Sequence, residues 1–146
     1  MSGERPFIAH RYDVMAAMAH RIRRLCEEQS AKAGTSETRS ADKTAQDLRV
    51  AKALAADWDS VAEYMPEPSW LHDPRAGGAF PAERRALLQE MLTRAQAKAP
   101  QHVEAIESLI WWETARIPVR TLVEMTLELR ARARAKLNPQ PKDRAA

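Results

Sequence analysis

The chain has 146 residues, 45% of them apolar and 29% charged, with a net charge of +3 and one cysteine. That length supports a single domain with its own hydrophobic core, and a lone Cys26 excludes an internal disulfide framework. No run of about 18 apolar residues is present to span a membrane, and the N-terminus lacks a signal-peptide pattern, so a cytoplasmic protein with no membrane role is expected.

Alanine, leucine, arginine and glutamate dominate, while glycine and β-branched residues are scarce, which favours helix over strand. The expectation is an all-α bundle of about five helices with an irregular Pro/Gly-rich loop in the middle. Residues 1–137 would form one helical domain and 138–146, "NPQPKDRAA", a disordered tail. Charge is unevenly spread. Residues 1–34 carry +2, residues 35–113 carry −4 and residues 114–146 carry +5, so two basic ends flank an acidic middle.

The first helix is expected from about Pro6 to Ala33. Ile8, Tyr12, Met15, Ala19, Ile22 and Cys26 recur at spacings of three and four, and Gly34 is placed to end it. His10, His20, Arg21 and Arg24 fall on its far side. Cys26 on the apolar face reads as a small core residue. After the polar "TSETRS", Ser40 suits the cap of a second helix running from about Ala41 to Met65. Its stripe is Leu48, Ala51, Leu54, Ala55, Trp58, Val61, Ala62 and Met65, with Pro66 as the stop.

Residues 66–80, "PEPSWLHDPRAGGAF", are broken by prolines and glycines. They read as an ordered loop with one short helical turn around Ser69–His72, anchored by Trp70, Leu71 and Phe80. Pro81 opens a third helix, to about Ala99, whose inner face is Leu87, Leu88, Met91, Leu92 and Ala95. A fourth helix, about 101–116, buries Val103, Ile106, Leu109 and Ile110. Pro118 begins or kinks a fifth, ending near Leu137. Short connections predict that these last three helices pack as neighbours.

Motifs for catalysis are missing. The histidines at 10, 20, 72 and 102 show no HExxH or ExxH spacing, and no glycine-rich phosphate loop occurs, so no enzyme activity, cofactor or metal is expected. Asp57, Asp59, Glu63, Glu67 and Asp73 read as a solvated helix end and loop, because the spacing of a calcium loop is lacking.

The C-terminal helix holds the densest charge. "ELRARARAKL", residues 128–137, contains Arg130, Arg132, Arg134 and Lys136. On a wheel, Val119, Leu122, Leu129, Ala133 and Leu137 form an apolar seam. Arg130 and Arg134 flank that seam; Arg132 and Lys136 lie roughly opposite. One reading is positive charge placed at a helix C-terminus, where the macrodipole favours it. The other is phosphate contact, since an arginine fork matches phosphate oxygens. Arg116 and Arg120 would extend such a surface, and Arg21 and Arg24 would join it if the first and fifth helices were neighbours. Trp111 and Trp112 are adjacent and point about 100° apart, so only one can face the core directly. The other falls at a helix interface, a subunit contact or a base-stacking surface, and helix packing is the preferred reading.

The segments "LLQEMLTRAQAKAP" and "LIWWETARIPVRTLVEM" resemble the C-terminal region of the small subunit of type I CRISPR surveillance complexes. The shared elements are Leu92-Thr93-Arg94-Ala95, Trp111-Trp112 and Leu122-Val123-Glu124, within about 45 residues. The resemblance implies a non-catalytic, all-helical subunit that contacts guide RNA and target or displaced DNA strand and packs against other subunits and copies of itself. The alternative is a helical protein–protein interaction module, such as a phage assembly factor or antitoxin-like regulator, with no nucleic-acid role.

Overall fold

A computed structural model describes residues 5–32, 41–114 and 119–137; Gly34, Ser40, Arg116, Pro118 and the C-terminal tail lie outside them, as do the side chains of Val119, Arg120 and Leu122. The chain is an all-α bundle of five helices: α1 (Tyr12–Lys32), α2 (Ala41–Ala62), α3 (Pro81–Lys98), α4 (Val103–Thr114) and α5 (Val119–Leu137).

The α1 stripe is buried as its spacing requires, with Met15, Ala19, Ile22 and Cys26 in the core beside Ala16 and Met18. The helix starts at Tyr12 rather than near Pro6. Two tight turns, closed by Ala9 N–H to Pro6 O and Arg11 N–H to Ile8 O, occupy the preceding residues and turn Ala9 inward.

The second helix also stops early, at Ala62, four residues before Pro66. Tyr64 takes a left-handed φ of 55°. Its N–H bonds to Val61 O at 3.1 Å, and Met65 N–H bonds to Ser60 O at 2.7 Å. This pair of bonds is a Schellman motif with tyrosine where glycine is usual. Because the chain turns away there, Met65 is 51% exposed instead of completing the stripe.

In the 66–80 loop, Leu71 and Ala79 are the inward anchors, joined by Ala79 N–H to Leu71 O at 2.8 Å. Gly78 is required by this close approach, since a Cβ there would lie 2.2 Å from the Trp70 carbonyl oxygen. Trp70 is largely at the surface and Phe80 is 55% exposed, so neither is the anchor expected. Phe80 holds the entrance of α3 through its backbone, donating N–H to Glu83 Oε1 at 2.9 Å. The helical turn of this loop is a 3-10 segment at Pro74–Ala76, capped by Asp73.

Contacts between helix ends establish an antiparallel ring. Tyr12 at the start of α1 meets Trp58 and Tyr64 at the end of α2. Arg49 of α2 pairs with Glu83 at the start of α3, and Arg84 pairs with Glu113 at the end of α4. Trp112, also at that end, returns to Ala9 and Tyr12. The ring encloses Met15, Ile22, Leu54, Trp58, Leu88 and Leu109.

The last helix departs from expectation. Its main packing partner is α2, whereas α3 and α4 pack chiefly on each other. Val123 is buried, and Thr126 and Leu127 are half-buried, but every residue from Glu128 to Leu137 is exposed. Leu129 is 62% and Leu137 79% exposed, and Ala133 is exposed too, so this part of the seam does not enter the core. Among the described side chains, α5 packs on the ring through its first half, with Arg130 of the second half reaching the Tyr64 ring. Among the described residues, no helix is long and apolar enough to cross a membrane.

Candidate functional site

The projecting half of α5 keeps its cations in two different states. Arg130 lies on the core-facing side of the helix and places its guanidinium 4.7 Å from the Tyr64 ring centroid. That geometry fits a cation–π contact and links α5 to the cap of α2. Arg132 is paired one turn back with Glu128 at 2.6 Å. Arg134 and Lys136 are exposed in the final turns, with no ion pair to a described residue. Arg116 and the side chain of Arg120 lie outside the described residues.

Arg21 and Arg24 do not join this surface. Their helix packs mainly on α2 and α4, while α5 packs mainly on α2. Arg24 is exposed on α1. Arg21 instead lines a separate groove with Arg94, Lys98 and His102, residues that the sequence did not bring together.

The tryptophan pair serves helix packing. Trp112 is buried and donates Nε1–H to Ala9 O at 2.7 Å. Its ring meets Tyr12 at 6.1 Å and Trp58 at 6.2 Å, in edge-to-face geometry. Trp111, half-buried, packs its ring 4.8 Å from Trp112, with the Arg5 guanidinium 6.0 Å from its centroid.

Several carboxylates read as solvated have partners inside the fold. Asp57 and Glu113 flank the buried Arg84, with Arg84 Nη2 at 2.7 Å from Asp57 Oδ2 and Nε at 2.8 Å from Glu113 Oε1. Burial raises the Glu113 carboxyl above the usual range, against the pull of the Arg84 charge. Asp59 receives His20 Nε2 at 2.7 Å from both of its oxygens, which ties α1 to α2 from the side of α1 expected to face solvent. Glu67 pairs with His72. Glu63 is exposed, as expected. Among the described residues, no cluster of three or more His, Cys, Asp or Glu is arranged to hold a metal ion. Cys26 is buried in the core.

Comparison with protein-family models, with curated proteins and with solved structures found no match to the chain.

Proposed function

We propose that this chain is a non-catalytic helical subunit that contacts nucleic-acid phosphates through the exposed half of α5, within a larger ribonucleoprotein. The observation that supports the reading is that every residue from 128 to 137 is exposed, with four cations against one carboxylate. Beyond the Arg130–Tyr64 contact, this segment offers Arg134 and Lys136 on different sides of one helix, with Arg132 beside Lys136. A cation so placed neutralises phosphates of any sequence and releases their counterions.

The test is anisotropy of labelled RNA and DNA oligonucleotides of mixed sequence across a salt series. Affinity should fall linearly on a log–log plot. Replacing Arg130, Arg132 and Arg134 with alanine should weaken binding to all sequences alike and reduce the slope by about two to three, roughly one per lost phosphate contact. A sequence-selective loss, or no binding even at low salt, would reject the reading. The narrower form, a small subunit of a CRISPR-type complex, rests on the resemblance around Trp111-Trp112. Low-salt purification from the native host should then recover short RNAs of uniform length with a backbone protein.

A second reading, a helical protein–protein module, is favoured by the apolar side chains that α5 leaves outside. Met125 and Leu129, one turn apart, are 54% and 62% exposed. Partners recovered without nucleic acid, by contacts insensitive to salt, would favour it.

A further inference from the structure

In the antiparallel ring, the C-terminal halves of α1 and α3 and the start of α4 lie at one end. There α1 and α3 line opposite sides of a groove of about 590 Å³. Its lining repeats one pattern on both helices. Met18, Arg21, Ile22 and Leu25 follow one another at 0, 3, 4 and 7 on α1, and Met91, Arg94, Ala95 and Lys98 do the same on α3. Each helix therefore sends methionine and small or aliphatic residues to the floor and a cation to the rim. The floor is apolar: Met18, Ile22, Met91, Ala95 and Ile106 are all buried. Among the described residues, no aspartate or glutamate lines the groove.

The rim cations are poorly neutralised. Arg94 has Glu90 at 3.6 Å, a long pair, whereas no ion pair joins Arg21 or Lys98 to a described carboxylate. Burial, reinforced by the positive charge of Arg21, holds His102 below the ordinary imidazole range. An apolar floor under a rim of cations suits a molecule with both characters. The volume also falls within the roughly 300–1,000 Å³ usual for small-ligand sites, and methionine adapts readily to irregular aliphatic shapes.

We propose that this groove binds a small amphipathic anion, an aliphatic body carrying a carboxylate or phosphate head, with the body on Met18, Met91 and Ile106 and the head between Arg21 and Lys98. The site is separate from α5 and does not depend on the function proposed above.

Methionine methyl NMR of the full chain tests it, because Met18 and Met91 line the groove while Met65 and Met125 lie elsewhere on the surface. Dodecanoate below its micelle concentration should shift the Met18 and Met91 signals saturably and leave Met65 and Met125 in place. Dodecanol of the same length should bind at least about tenfold more weakly, since it forms no charge-assisted contacts. Lys98→Glu and Arg21→Gln, both on exposed positions, should each weaken dodecanoate by about tenfold with the Met65 and Met125 signals unmoved. The imidazole of His102 should titrate at higher pH once the head neutralises Arg21. Equal shifts at Met125, equal affinity for dodecanol, or displacement of dodecanoate by a single-stranded oligonucleotide would overturn the proposal. So would capture by anionic phosphatidylglycerol vesicles without any response to monomeric dodecanoate, which would assign the groove to a lipid surface.

Discussion

Within the ring, Arg84 sits between Asp57 and Glu113, and Arg49 between Glu83 and the Gly78 carbonyl. On the second half of α5, by contrast, Arg134 and Lys136 face solvent. The same residue types thus clamp helices together in one region and project outward in the other. What separates them is desolvation. A buried guanidinium must be matched by carboxylates that are themselves buried, so it is committed to one geometry. An exposed one costs little to leave unpaired and stays available to a partner.

The largest effect that distinguishes the regions is expected at Arg84. Replacing it with methionine leaves two buried carboxylates without their cation and should cost about 3–5 kcal/mol. Arg134→Ala should leave the urea midpoint unchanged. If the two substitutions were equally mild, the contrast would fail.

A smaller loss should come from the hinge between the regions. Among the described residues, Val123 is the fully buried side chain of α5, and Val123→Ala removes two buried methyl groups, about 1–2 kcal/mol. Amide exchange should accelerate along residues 123–137 while α1–α4 keep their protection. Uniform acceleration would mean that α5 is an integral member of the bundle.

Acid titration sharpens the comparison further, at the smallest amplitude. Its hydrogen bond from Arg49, above all, holds Glu83 below the ordinary glutamate range. The stability that Glu83 contributes is present above the unfolded value and lost as pH falls through the folded one. Glu113 has the opposite sign. Burial raises its folded value, so its contribution is full below the ordinary glutamate value and disappears as pH rises through the raised one. Urea midpoints measured from neutral to acid pH should show Glu83→Gln flattening the loss on the acid side and Glu113→Gln removing the opposing slope. The same titration of Arg134→Ala should overlay the parent chain.

Helix identity was legible because burial follows a period of 3.6 and the apolar residues of α1 to α4 keep that period. Boundaries were less so. The end of α2 depends on Tyr64 adopting a left-handed conformation that composition does not signal, and Met65 looks like one more member of the stripe. In α5 the apolar spacing continues past Leu127, but pattern alone does not reveal that the ring beneath has ended. Arg84 was invisible as a core residue: within "AERRALL" it looks like any surface cation, and its partners lie 27 and 29 residues away. The groove cations share that difficulty. Arg21 was marked for a surface with α5, Arg94 was named only within the Leu92–Ala95 segment, and Lys98 was not singled out. Their repeated Met-x-x-Arg and Met-x-x-Arg-Ala-x-x-Lys spacing was the available signal, and it acquires meaning once α1 and α3 are known to face across one end.

The alternating direction of the helices has an optical consequence. The four tryptophans, two tyrosines and two phenylalanines all belong to the start of α1, the end of α2, the 66–80 loop or the end of α4. The opposite pole, with the groove and Cys26, contains no aromatic chromophore among the described residues. Tryptophan emission and near-ultraviolet dichroism therefore watch one pole of the molecule. A melting curve drawn from them describes the whole bundle only if a second reporter, such as the reactivity of the Cys26 thiol, changes over the same interval.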